Sequence, residues 1–167
     1  MARREPVRLA APDVPPQEPR PYDEERHAQL LDRMKQTLVA VAPQGWKRID
    51  LKILMLVGVC DAQLTVVRKN GGRPLVETVP ELVETAAEIR SLMYRPDQGT
   101  WFGMRFMMDP PDAFWVSYNR AFDPLWDPPL SAAEWRRDLD VFPRADAHVP
   151  EWLGARLGTH GPMRREQ

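Results

Sequence analysis

Cysteine and histidine are scarce here, with one cysteine and three histidines among 167 residues. A lone cysteine, Cys60, cannot close an internal disulfide, which points to a reducing compartment. Cys60 lies in an apolar run beside a predicted turn, a setting for a small buried hydrophobe rather than a reactive thiolate. The nine glycines never form a Gly-x-Gly-x-x-Gly or Walker pattern, and the serines lack a Gly-x-Ser-x-Gly context. Long apolar runs are missing too. None approaches the ~20 residues that would span a membrane, and the basic N-terminus lacks the apolar stretch of a signal peptide. The expectation is a cytoplasmic protein that does not engage a membrane.

Net charge is also small, at -1, but it is unevenly spread. Lys and Arg outnumber Asp and Glu six to three from Gln44 to Val79, and are outnumbered ten to five from Asp97 to Leu153. No basic face for direct nucleic-acid binding is indicated, because that needs several clustered cations. The acidic half suits a partner with a basic surface, or serves solubility alone.

Proline is the residue in excess. Six of eighteen prolines fall between Met1 and Pro21, so residues 1–21 read as a flexible arm with little regular structure. The domain is expected over residues 22–157, with a flexible tail at 158–167. Leu30, Leu31, Met34, Leu38 and Val41 recur at three- and four-residue spacings, predicting a helix that Pro43 and Gly45 end. Strands are predicted over Lys47–Val57, around Ala62–Val66, and, after the Asn70-Gly71-Gly72 turn, over Leu75–Val79. Pro80 opens a second helix carrying Leu82, Ala86, Ile89 and Met93.

The clearest signal runs from Gly99 to Pro129. Phe102, Met104, Phe106 and Met108 alternate with Trp101, Gly103, Arg105 and Met107, the period of a two-faced strand. Asp109-Pro110-Pro111-Asp112 is its turn, and Phe114, Val116 and Tyr118 mark the returning strand. Ser131-Ala132-Ala133-Glu134 is a capping box that starts a third helix, and Val149–Leu157 suggests a last amphipathic turn or two. The order α-βββ-α-ββ-α predicts an α+β fold, a mainly antiparallel sheet of about five strands with helices packed on it.

Candidate chemistry is thin. Asp138, Asp140, Asp146 and His148 offer oxygen and imidazole ligands, but their spacing matches no known metal loop. His27 reads as a boundary residue on its helix stripe, and no cofactor is indicated. The tryptophans Trp101, Trp115 and Trp135 suit packing. Trp126 sits between Asp123 and Asp127 in a proline-rich loop, as an aromatic anchor ringed by acids would in a protein interface, or as a plug at the end of the sheet. The candidate partner-binding residues are therefore Asp109, Asp112, Asp123, Trp126 and Asp127, provided that the hairpin turn and the exit loop lie at related edges of the sheet.

Taken in order, Ala-Pro-x-Gly-Trp (42–46), Gly-Thr-Trp-Phe (99–102), Asp-Pro-Leu-Trp (123–126), Asp-Leu-Asp-Val-Phe-Pro-Arg (138–144) and Val-Pro-Glu-Trp-Leu (149–153) form a recognisable series. It resembles the YezG-like antitoxin family, the immunity proteins of polymorphic toxin systems, over residues 22–157. The first strand differs, since Ile53-Leu54-Met55-Leu56 stands where better-known members are tyrosine-rich. The resemblance implies a small cytoplasmic protein without catalysis or cofactor that binds and neutralises a cognate secreted toxin, often a nuclease. Two other classes remain open: a generic protein-interaction module, and a small metal-dependent enzyme using Asp138, Asp140 and His148.

Overall fold

The computed structural model describes residues 5–158. The tail beyond Gly158, His160 included, lies outside the described residues. Five strands, β1 (Val7–Ala10), β2 (Trp46–Leu56), β3 (Val59–Arg68), β4 (Gly103–Asp109) and β5 (Ala113–Asn119), form one sheet in the order β1-β3-β2-β4-β5. Every neighbouring pair is antiparallel. Four helices accompany it: α1 (Glu24–Val41), α2 (Pro80–Leu92), α3 (Ala132–Val141) and α4 (Glu151–Leu157). The α+β class and the antiparallel sheet are those the sequence periodicity predicts.

One face of the sheet carries the main core. Ile49, Leu51 and Ile53 of β2, Leu64 and Val66 of β3, and Met104, Phe106 and Met108 of β4 pack against Leu30, Met34 and Leu38 of α1 and Leu82, Ala86 and Ile89 of α2. Alternation sends their neighbours to the opposite face, which is covered at one end only. There Leu56 joins Phe102, Trp126, Trp135, Leu153 and Leu157 under α3 and α4. Trp101 and Phe102 feed the two clusters from adjacent positions. The rest of the second face is open, and across it Thr65, Asp50, Met107 and Trp115 form one row.

Two local expectations give way to tertiary pairing. Leu75–Val79 belongs to no strand, with Leu75 83% exposed, Val76 buried and Val79 partly buried against the core. The fifth strand comes instead from the arm, where little regular structure was expected: Val7–Ala10 pairs with Val59–Ala62 and occupies the outer edge of β3. An ion pair fixes it there. Arg8 donates to both oxygens of the buried Asp61 at 2.8 and 3.1 Å, a partner that a buried carboxylate requires.

Candidate interaction surface

The loop that leaves β5 is organised by Asn119. Its side-chain Oδ1 accepts the amides of Ala121 and Phe122 at 3.3 and 2.9 Å, while its side-chain Nδ2 donates to the Phe122 carbonyl at 2.9 Å. Trp152 of α4 adds an indole N–H to the Ala121 carbonyl at 2.7 Å. Next, Asp123 accepts the Leu125 amide at 3.0 Å and the Arg156 guanidinium at 2.8 Å. Partial burial works against the Asp123 carboxylate, yet that amide and that cation hold its pKa below the ordinary carboxylate value. Leu125 takes a left-handed φ of 57°, a conformation that costs a branched residue about 1 kcal/mol or more.

The far end of the loop is anchored as well. Arg8 donates to the Pro128 carbonyl at 2.7 Å and lies 5.5 Å from the centre of the Trp126 ring. With both ends held, Phe122 and Leu125 face solvent at 79% and 73% exposure. Asp127 is exposed beside them. A main chain bonded on both sides therefore presents two large apolar side chains with two carboxylates nearby.

The five residues singled out from sequence do not form one surface. Trp126 is 6% exposed, packed with Leu56, Phe102 and Trp135; it is the plug at the end of the sheet, and its burial keeps it from acting as an exposed anchor. Asp109 and Asp112 flank the β4–β5 turn, whereas Asp123 and Asp127 follow the opposite end of β5. A seven-residue strand separates the pairs, about 20 Å at the usual rise per residue. The turn and the exit loop are thus at opposite ends of the hairpin.

Nor is the acidic half a free acidic patch. Asp109 receives both guanidinium arms of Arg48 at 2.8 and 2.7 Å, an arrangement that lowers its pKa. Lys35 reaches Asp112 at 3.1 Å, and Arg90 meets Asp138. Cations drawn from outside the segment neutralise much of what the tally along the chain shows. Sequence reasoning passed over Phe122 and Leu125 because an apolar residue beside proline reads as buried or exposed only once its neighbours are placed. Leu125 could have been suspected from its position two residues after an aspartate, the spacing of an Asx turn.

Of the residues weighed for catalysis, Cys60, His27 and Asp138 are packed or bonded within the fold. Cys60 is buried, and desolvation followed by the nearby Asp61 charge pushes its thiol up to about 12. His27 lies between two phenols, with Tyr22 Oη 2.5 Å from Nδ1 and Tyr118 Oη 2.8 Å from Nε2. Asp138 is buried against Arg90 and also accepts the Val57 amide at 2.8 Å, while Asp140 and His148 are exposed. Among the described residues no group of three or more His, Cys, Asp or Glu side chains is placed to hold a metal ion. Likewise, no helix among them is long and apolar enough to cross a membrane.

Compared with known proteins, the chain matched no family model and no curated protein. The motifs that carry the resemblance to the YezG-like family map largely onto packing positions: Trp101, Phe102, Trp126, Phe142 and Leu153 are buried, and Asp138 and Arg144 tie elements together. They bear on how the chain folds more than on what it binds.

Proposed function

We propose that this chain is a non-catalytic immunity protein that binds a cognate protein toxin and blocks it, with the loop from Phe122 to Asp127 as the contact. One observation carries the choice of surface. Phe122 and Leu125 are large, apolar and exposed, on a main chain held by Asn119, Asp123, Trp152 and Arg8. Exposed apolar side chains grouped in a small area mark binding sites, and a pre-ordered loop avoids much of the ordering cost of association. Asp123 and Asp127 supply a polar rim, the arrangement in which a few central anchors dominate binding. The choice of a toxin as the partner rests on what the resemblance of the motif series along residues 42–153 implies.

The test is to search the reading frames adjoining its gene for a toxin-like one and to co-express the two. Cells producing that toxin should survive with the intact chain, the two proteins should copurify, and survival should fail with Phe122→Ala/Leu125→Ala. Survival without any complex would overturn the binding reading. A stable complex with a non-toxic protein, lost in the same double variant, would favour the generic interaction module.

A further inference from the structure

A cavity of about 400 Å³ opens where the turn after α2, the exit of β5 and the segment before α4 come together. Arg95, Arg120 and Arg144 all line it, and none of its lining residues is acidic. That is unusual within this molecule, where Arg8, Arg48, Arg90, Arg105 and Arg156 each meet a carboxylate. Among the described residues, the three arginines of the cavity form no ion pair.

Two of them are already held in place. Arg144 donates to the carbonyls of Thr100, Arg120 and His148 at 2.8, 3.0 and 3.1 Å, with its guanidinium 4.5 Å from the centre of the Phe102 ring. Arg120 donates to the carbonyls of Met93 and Gly99 at 2.9 and 3.4 Å. Neutral carbonyls fix these side chains without balancing their charge. Arg95 is planted by its amide on the Gly99 carbonyl at 3.0 Å, while its exposed guanidinium has no bonded group among the described residues.

The cost of this assembly shows in the groups themselves. Burial, then the like charge of Arg90, with Arg120 adding to it and Asp138 opposing, lowers Arg144 to about 10. Burial and the charge of Arg95 lower Arg120. Positive charge collected in a partly desolvated hollow attracts an anion, and planar guanidinium forks match the oxygens of phosphate.

We propose that this cavity binds a small phosphate monoester, its phosphate among Arg95, Arg120 and Arg144 and its organic part against Ala147, Val149 and Pro150. The cavity is larger than a phosphate group alone fills, and these three lining residues carry no charge. The proposal does not depend on the toxin-binding reading.

The probes are ribose 5-phosphate, inorganic phosphate and ribose, titrated calorimetrically into the full chain at constant ionic strength. Ribose 5-phosphate should bind saturably, inorganic phosphate more weakly, and ribose not at all. Arg95→Gln alters a side chain that bonds nothing among the described residues, so its melting temperature should stay that of the parent while its affinity falls about tenfold or more, as expected for lost charged hydrogen bonds. Saturable binding that Arg95→Gln leaves unchanged would overturn the site, as would no saturable binding of either phosphate. Equal affinity for inorganic phosphate and ribose 5-phosphate would overturn the role given to the wall of Ala147, Val149 and Pro150.

Discussion

Arg90 and Asp138 face each other inside the protein, Nη1 to Oδ1 at 2.5 Å and Nη2 to Oδ2 at 2.9 Å, with side chains 2% and 3% exposed. Arg90 also donates to the Trp101 carbonyl at 2.8 Å, and the Asp138 carboxylate receives the Val57 amide. One pair thus joins α2, α3, the β2–β3 turn and the approach to β4. Asp138→Ala should cost about 3–5 kcal/mol in a denaturant melt, because it leaves a buried guanidinium without its counter-charge. Asp140→Ala, at an exposed position, should stay within about 0.5 kcal/mol. Equal losses would show that Asp138 does not carry this linkage.

Trp126 and Ser131 provide a second comparison. Trp126→Ala empties a buried site and should cost about 3–5 kcal/mol. Ser131 accepts the Glu134 amide while Glu134 returns a bond to the Ser131 amide, so Ser131→Ala should cost about 1 kcal/mol. Thermal or chemical melts give the order directly. A Trp126→Ala protein as stable as the parent would mean that the aromatic cluster under α3 and α4 is not as described.

His27 makes stability depend on pH. Burial lowers its pKa from the ordinary 6.5, so in the window below 6.5 the unfolded chain binds the proton more readily than the folded one. Its contribution is fully present above 6.5 and is lost as pH falls towards the lowered value. His27→Gln should flatten this part of the stability profile, measured by denaturant melts between pH 7.5 and 5. A slope that the substitution does not change would assign the dependence to other groups.

Leu125→Gly separates binding from folding. Glycine adopts the positive φ at this position without steric cost, so the variant should be as stable as the parent or more stable by up to about 1 kcal/mol. The same change removes an exposed apolar side chain and should weaken partner binding. Loss of stability by more than about 1 kcal/mol would mean that Leu125 supports the fold.

The β4–β5 hairpin was legible because its information is local: Met104 to Met108 alternates without a break, and Asp109 to Asp112 admits little but a turn. The capping box at Ser131 was legible for the same reason. Strand β1 was not, because Val7–Ala10 pairs with residues 49 to 55 positions away and lies among prolines. Leu75–Val79 has strand-like residues, but β1 already holds the outer side of β3. At the candidate surface the loop itself was identified and its anchor was not. Whether Trp126 or Phe122 faces outward depends on Leu56, Phe102 and Leu157, which reach the loop only through the tertiary fold.

The most direct measurement is the affinity for the purified toxin of two double variants, Phe122→Ala/Leu125→Ala and Asp109→Asn/Asp112→Asn, compared with the parent. The account predicts a loss of about 100-fold or more for the first, as for two interface anchors, and a change within about twofold for the second. Unchanged affinity in the first pair together with a large loss in the second would contradict it, and would move the contact to the far end of the hairpin.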